Sequence, residues 1–148
     1  MIRSLKGGFS MLDADINFLS VLIAGVLAFL LGIVWYSPKA MGGRWMEVRG
    51  ITKAEMPHGG SPLPFVASFF LWMLSACFYA FLAGFLSIDT PAGFFCLSCM
   101  LWVAFAMPPS IIGALHSGAP FEAVAIDAAY QLGGYYVFAL VHMAFLYI

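Results

Sequence analysis

The stretch from residue 16 to residue 36 reads INFLSVLIAGVLAFLLGIVWY and contains no charged residue. An α-helix rises about 1.5 Å per residue, so this stretch is long enough to cross the roughly 30 Å hydrocarbon core of a bilayer. It is longer than the apolar region of a signal peptide, and it ends in Trp35-Tyr36-Ser37-Pro38 rather than in a small-residue cleavage site. It therefore predicts a first transmembrane helix that is retained.

Three further apolar stretches follow, at residues 63–88, 92–115 and 122–148. Short turns separate them, at residues 89–91 and 116–120, so consecutive helices should run antiparallel. The pair Pro108-Pro109 removes backbone donors within the third stretch, which predicts a kink or a break there. The expected fold class is all-α: residues 1–148 form a single membrane domain, an integral membrane bundle of four transmembrane helices.

The remaining residues form a polar N-terminal segment, 1–15, and one sizeable polar loop, 37–62. Met11 offers an alternative start to the chain. The loop holds four of the six basic residues: Lys39, Arg44, Arg49 and Lys53. Short loops rich in lysine and arginine stay in the cytoplasm, so we expect the loop inside the cell and both termini outside. Apolar and basic residues alternate over 44–53, which predicts a short helix in the headgroup region.

Composition agrees with a membrane protein and excludes several functions. Hydrophobic residues make up 64% of the chain and charged residues only 9%, against about 25% in soluble domains. The net charge of -1 provides no basic field for nucleic acid. We find no enzyme motif and expect no catalytic residue and no cofactor. Cys96 and Cys99 lack the further ligands that a structural zinc site requires, so we predict no metal site.

Two ridges of small residues recur at every fourth position. Helices associate in lipid through close packing and hydrogen bonds, and small residues allow backbones to approach. We therefore predict that both ridges lie at helix contacts, although alanine and glycine are common in membrane helices and a chance arrangement is the alternative. The ridges are Ser20, Ala24, Ala28 and Gly32 in the first span, and Ala76, Ala80 and Gly84 in the second.

The fourth span carries a polar stripe at membrane depth. At 100° per residue, Asp127, Gln131 and His142 fall on one face, and Tyr130 flanks it. An ionisable residue inside a membrane is a functional hypothesis by default, here a proton or cation relay. The structural alternative is that Asp127 reaches interfacial water, Gln131 bonds to a neighbouring helix and His142 lies near the opposite interface.

Several motifs of the chain are similar to those of the bacterial domain-of-unknown-function family 1761, small membrane proteins with four spans. The exit of the first span followed by glycine and tryptophan is the most specific of these motifs, and the Gly-Pro-rich segment 56–62 and the residues before Met11 depart from the pattern. The resemblance implies the fold, a bacterial origin and a membrane location, and it carries no established activity or site. Together with the basic loop, it leads us to expect a protein of the bacterial inner membrane with both termini periplasmic. The motifs are Asp15-Ile16-Asn17-Phe18-Leu19, Trp35-Tyr36-Ser37-Pro38, Gly43-Arg44-Trp45-Met46, Trp102-Val103-Ala104-Phe105 and Asp127-Ala128-Ala129-Tyr130.

Two functions remain open. The first is a non-catalytic membrane protein that acts by helix packing, as a small accessory subunit of a larger complex or as a homo-oligomer. The second is an oligomeric transporter or channel for protons, cations or small solutes that uses Asp127 and Gln131. In both cases the expected partners are membrane lipid and other membrane-protein chains.

Overall fold

A computed structural model of the chain describes residues 16–52 and 61–147, and within these ranges it is helical with no β-strand. The polar segment 1–15, residues 53–60 with His58, and Ile148 lie outside the described residues. The helices are α1 (Phe18–Trp35), α2 (Gly42–Arg49), α3 (Leu63–Phe85), α4 (Pro91–Leu101), α5 (Met107–Ser117) and α6 (Phe121–Phe145).

Four helical units of the described chain are long and apolar enough to cross a membrane: Phe18–Trp35, Leu63–Phe85, Pro91–Ser117 and Phe121–Phe145. The all-α fold predicted from the sequence is confirmed, and the protein is a multi-pass membrane protein. Capping residues set several boundaries that differ by a few residues from the sequence prediction. The Asn17 carboxamide accepts hydrogen bonds from the backbone of Leu19 and Ser20, so α1 begins at Phe18.

The third span passes its two prolines without ending. A five-residue π-helix, Trp102–Ala106, joins α4 to α5, and the backbone N–H of Met107 bonds to the carbonyl of Trp102. Pro108 and Pro109 lack the N–H groups that the i→i−4 pattern needs, and a single π-helical turn within the α-helix accommodates this interruption. The predicted irregularity therefore lies one turn before the prolines, and the helix continues to Ser117.

Helix α6 is the centre of the bundle. It packs along α1 on one side and α4 on the other, and α1 in turn packs against α3. Ser20, Ala24 and Ala28 are buried at these contacts of α1, as the small-residue ridge predicts. Their small side chains allow the close approach that drives helix association in lipid.

The ridge in α3 needs one correction. Ala76 and Ala80 are buried, but Gly84 is exposed and Ala83 is buried in its place. Four residues turn an α-helix by about 400°, which is about 40° more than one full turn. Residues at every fourth position therefore rotate gradually away from the helix contact. A three-residue step returns the contact to the buried face at Ala83.

The two ends of the bundle differ in polarity. One end, the loop end, carries α2 and the turn at residues 118–120; the other, the far end, carries the turn between α3 and α4. Near the far end the Tyr79 hydroxyl donates to the carbonyl of Phe94 at 2.8 Å, and the Ser98 hydroxyl donates to the carbonyl of Tyr135 at 2.8 Å. These bonds hold α3, α4 and α6 together inside the core.

Candidate functional site

Six side chains from four helices meet near the loop end and form what we term the aromatic–carboxylate cluster: Tyr36, Trp45, Arg49, Trp72, Asp127 and Tyr130. Tyr36 is the C-cap of α1, and its hydroxyl donates a hydrogen bond of 2.6 Å to Oδ1 of Asp127. Gly42 brings α2 back against this point, because a Cβ there would collide with the backbone carbonyl of Tyr36. The positions of the cluster residues therefore depend on the tight turn between α1 and α2.

Arg49 supplies the positive charge of the cluster. Its Nη2 lies 3.9 Å from Oδ2 of Asp127, and its guanidinium carbon lies 4.4 Å from the centre of the Trp45 ring. The Arg49 and Asp127 side chains are 34% and 29% exposed. The two charged groups are therefore too far apart for a direct hydrogen bond, and both side chains are partly exposed. Asp127 is not an isolated charge in the centre of the membrane.

Tyr130 connects the cluster to α3. Its hydroxyl accepts a hydrogen bond of 2.5 Å from Nε1 of Trp72, and its ring lies 5.2 Å from that of Tyr36. The hydroxyl occupies the space beside Gly32, where a Cβ would overlap it. Gly32, predicted to serve helix contact, therefore accommodates the tyrosine of α6.

Two cavities adjoin this cluster and have three residues in common: Tyr36, Asp127 and Tyr130. The first, the apolar chamber, has a volume of about 440 Å³ and lies between α1, α2 and α3. The second, the polar chamber, has a volume of about 470 Å³ and lies between α2, α5 and α6. Asp127 therefore separates a mainly hydrocarbon space from one lined by hydroxyl, amide and guanidinium groups.

Gln131 does not pair with Asp127, although the two lie one turn apart on α6. Its amide nitrogen and oxygen are each 3.4 Å from the Ser110 hydroxyl of α5, at the limit of a hydrogen bond. Ser110 also donates to the carbonyl of Ala106 at 2.9 Å. The amide thus joins α6 to α5 in this arrangement.

His142 belongs to a different part of the bundle. Fifteen residues along a helix separate it from Asp127 by about 22 Å, and its ring packs near Tyr79 and Phe94, with centroids 5.4 and 6.1 Å away. Its Nδ1 lies 2.9 Å from the carbonyl of Phe138, and its Nε2 has no hydrogen-bond partner within the described chain. The four predicted polar residues therefore do not form one site: Asp127 and Tyr130 meet, Gln131 adjoins them, and His142 lies apart.

A second ionic contact at the loop end ties α2 to α6. Arg44 donates to Glu122 at 2.6 and 3.0 Å through Nε and Nη2, and to Glu47 at 3.0 Å. The hydrogen bonds that Arg44 donates to Glu122 and, to a lesser extent, to Glu47 raise the pKa of its guanidinium above the ordinary value. These side chains are half exposed or more, so the contact positions α2 more than it stabilises the bundle.

Metal ligands do not converge in the part of the chain that the structure describes. No group of three or more histidine, cysteine, aspartate or glutamate residues is placed to hold an ion there. Cys96 is exposed, and the Cys99 sulfur lies 3.2 Å from the Tyr136 hydroxyl. The two cysteines are free thiols rather than a disulfide.

One family model matches most of this chain. Residues 19–143 match the family described as "Protein of unknown function (DUF1761)". The chain belongs to this family. The resemblance inferred from its sequence motifs is therefore confirmed, and the match to DUF1761 includes every residue of the aromatic–carboxylate cluster. Neither the curated proteins nor the solved structures provided a match to this chain.

Reasoning from the sequence of this DUF1761 member missed Tyr36, Arg49 and Trp72 as parts of a site. From the sequence, Tyr36 is part of the exit motif of the first span, Arg49 is one of the basic residues of the loop, and Trp72 is one of many apolar residues in the second span. A sequence signal existed for Tyr36, because the exit motif Trp35-Tyr36-Ser37-Pro38 carries a hydroxyl near an interface. Nothing in the sequence shows which of the distant residues this hydroxyl meets.

Proposed function

We propose that this protein is a non-catalytic integral membrane protein that acts by helix packing, as a small accessory subunit of a larger membrane complex or as a homo-oligomer. The observation that supports this proposal is a polar cleft on the outside of the bundle, between α3 and the π-helical segment of the third span. The cleft has a volume of about 330 Å³, and Ser75, Ala106 and Gln131 are among the residues that line it.

The hydroxyls in this cleft are available to a second chain. Ser68 and Ser75 lie two turns apart on α3 and face the cleft, and neither makes a hydrogen bond within the described ranges. In lipid, small hydroxylated residues are typical of helix interfaces, where they hydrogen bond across to a neighbour. A transmembrane helix of a partner, or of a second copy, fits this description.

The contacts inside the chain favour the cleft over the ridge on α1 as the place for a partner. Ser20, Ala24 and Ala28 are already buried within the bundle, so they are not accessible to another chain. By contrast, α3 and the third span keep large apolar side chains on their outer faces, including Phe70, Phe78 and Phe105. Lipid or a partner must cover these faces.

Transport along the stripe of α6 is less well supported. Phe138 lies on this stripe between Gln131 and His142, is fully buried, and packs against Tyr79 and Trp72 with ring centroids 5.4 and 5.6 Å away. A buried phenylalanine offers no group that can carry a proton between the two polar residues. A transport function would need a path outside this stripe.

For its location, we propose the bacterial inner membrane, with residues 37–62 in the cytoplasm and both termini in the periplasm. The support is the concentration of lysine and arginine in this loop and the placement of Arg44 and Arg49 on α2, at one end of the bundle. Basic residues in short loops stay on the cytoplasmic side.

The experiment that tests the function is native mass spectrometry of the protein extracted from its own membranes in mild detergent. We expect a defined assembly, either several copies or a complex with another chain. Ser75→Leu should reduce this assembly by placing a bulky side chain in the cleft. Leu140→Phe, an apolar replacement at an exposed position of α6 outside the cleft, should leave it intact. A wild-type protein found only as a monomer in several mild detergents would contradict the proposal.

A further inference from the structure

The two chambers beside Asp127 differ in polarity. One is lined mainly by apolar side chains, among them Phe29, Ile33 and Phe65, and the other by Ser110, Gln131 and the charged pair. Each volume, about 440 and 470 Å³, lies within the range of small-molecule pockets. A ligand that fills both must be amphiphilic.

The apolar chamber is accessible from the hydrocarbon region. Ile33 on α1 and Phe65 on α3 line its mouth, and they are 46% and 60% exposed on the outside of the bundle. Trp45 and Gly42 of α2 cover the chamber at the loop end. A flexible hydrocarbon chain can therefore enter laterally from the bilayer, between α1 and α3.

The polar chamber offers two opposite charges that do not satisfy each other. At 3.9 Å, the Arg49 guanidinium and the Asp127 carboxylate attract but do not form a hydrogen bond. Arg49 makes no hydrogen bond to any described residue, so its donors are available, and Oδ2 of Asp127 keeps its lone pairs because Tyr36 binds Oδ1. Ser110 and Gln131 add neutral acceptors nearby.

We propose that the two chambers together bind one zwitterionic phospholipid whose headgroup carries a primary ammonium, that is, an ethanolamine phospholipid. Arg49 binds the phosphate through charge-assisted hydrogen bonds, and Asp127 accepts hydrogen bonds from the ammonium. The apolar chamber holds part of one acyl chain. This assignment goes beyond a packing function, because it names a specific ligand for the two chambers, which adjoin the cleft at Ser68, Tyr130 and Gln131.

Charge complementarity selects this headgroup over the alternatives. The pair in the chamber carries one charge of each sign, and an ammonium–phosphate headgroup does the same. An anionic headgroup would bring a phosphate to Arg49 but no ammonium to Asp127, so the phosphate and the carboxylate would share a single cation. A trimethylammonium group has no N–H to donate, so it cannot bond to the carboxylate.

Competition among lipids in native mass spectrometry tests the proposal. The purified full chain is incubated with equal amounts of phosphatidylethanolamine, phosphatidylglycerol and phosphatidylcholine that have identical acyl chains. We expect one retained phosphatidylethanolamine per chain, preferred by at least about tenfold, which corresponds to one charge-assisted hydrogen bond. Equal retention of the three lipids, or preference for either of the other two, would overturn it.

Variants separate the two halves of the site. Asp127→Asn should abolish the preference for ethanolamine over choline, and Arg49→Gln should weaken binding of all phospholipids. Lys39→Gln is the matched control, because Lys39 is an exposed cation at the same end that lines neither chamber. An unchanged preference in a folded Asp127→Asn protein, or the same loss in Lys39→Gln, would show that the charged pair does not distinguish the headgroups.

A second comparison addresses the acyl chain and does not depend on the charged pair. Ile33→Trp should block the mouth of the apolar chamber and reduce lipid retention by at least about tenfold. Leu30→Trp, one turn away at an exposed position that lines a separate cavity, should not. Glycerophosphoethanolamine without acyl chains should fail to displace the lipid at the same concentration. Full retention in Ile33→Trp, or displacement by the soluble headgroup, would contradict a lipid site.

Discussion

The hydroxyl of Tyr36 donates a 2.6 Å hydrogen bond to Oδ1 of Asp127, although 91 residues separate the two in the chain. The bond joins the end of α1 to the first half of α6, the two helices with the most extensive mutual contact. Because the hydroxyl stands on a rigid ring and the carboxylate on a short side chain, the bond defines the axial position of one helix relative to the other. It also leaves the second carboxylate oxygen of Asp127 facing Arg49.

Removing this hydroxyl should destabilise the bundle. We expect Tyr36→Phe to lower the free energy of unfolding by about 1–2 kcal/mol, in the upper range for hydrogen bonds between membrane helices, because the acceptor is charged. The measurement is reversible unfolding in mixed micelles. Tyr147→Phe removes a hydroxyl from an exposed tyrosine and serves as the control. Equal stability of the two variants would mean that the Tyr36 hydroxyl contributes nothing to the fold.

Two glycines in membrane helices should respond in opposite ways to alanine. A Cβ at Gly134 would overlap the six-membered ring of Trp72, whereas a Cβ at Gly113 meets nothing within 4 Å. Gly134→Ala should therefore destabilise the bundle by about 1–3 kcal/mol through overpacking, and should disturb the bond from Trp72 to Tyr130. Gly113→Ala should be neutral or stabilise by about 0.5–1 kcal/mol.

Tryptophan fluorescence recorded during the same unfolding experiment checks the mechanism of the Gly134 effect. Gly134→Ala should shift the emission of the folded state, because Trp72 must move, and Gly113→Ala should not. If both variants unfold at the wild-type midpoint, the contact between Gly134 and Trp72 is not as close as the structure places it.

Proton transport should be absent. Proteoliposomes that contain the wild-type chain should acidify at the same rate as protein-free vesicles after a pH jump, because Phe138 interrupts the polar stripe between Gln131 and His142. Asp127→Asn should behave identically. A wild-type flux that Asp127→Asn abolishes would instead support the relay and would contradict a purely structural role for Asp127.

Orientation can be measured with reporter fusions. We expect alkaline phosphatase fused after Ile148 to be active, since this enzyme folds in the periplasm, and green fluorescent protein at the same position to be dark. A fusion after Gly118, in the turn at the loop end, should give the reverse result. Fluorescence from the fusion at Ile148 would place the loop with Arg44 and Arg49 outside the cell and would invert the proposed topology.

The four spans could be predicted from the sequence because the bilayer imposes length and polarity on each helix separately. The small residues of α1 could also be predicted, since a buried ridge needs only local periodicity. The prediction failed at Gly84, where the drift of a four-residue step rotates the ridge away from the core and Ala83 replaces it. The π-helical segment before Pro108 was expected only as an unspecified irregularity.

By itself the sequence determined that the chain crosses the membrane four times, that basic residues gather between the first two spans, and that α6 carries the deepest polar groups. Each of these follows from properties of consecutive residues. Only the tertiary structure decided that Asp127 meets Tyr36 and Arg49 rather than Gln131, and that His142 belongs to another part of the core. Which side chains from different helices meet depends on how each helix is rotated about its axis and shifted along it. The hydropathy of the sequence does not specify either quantity.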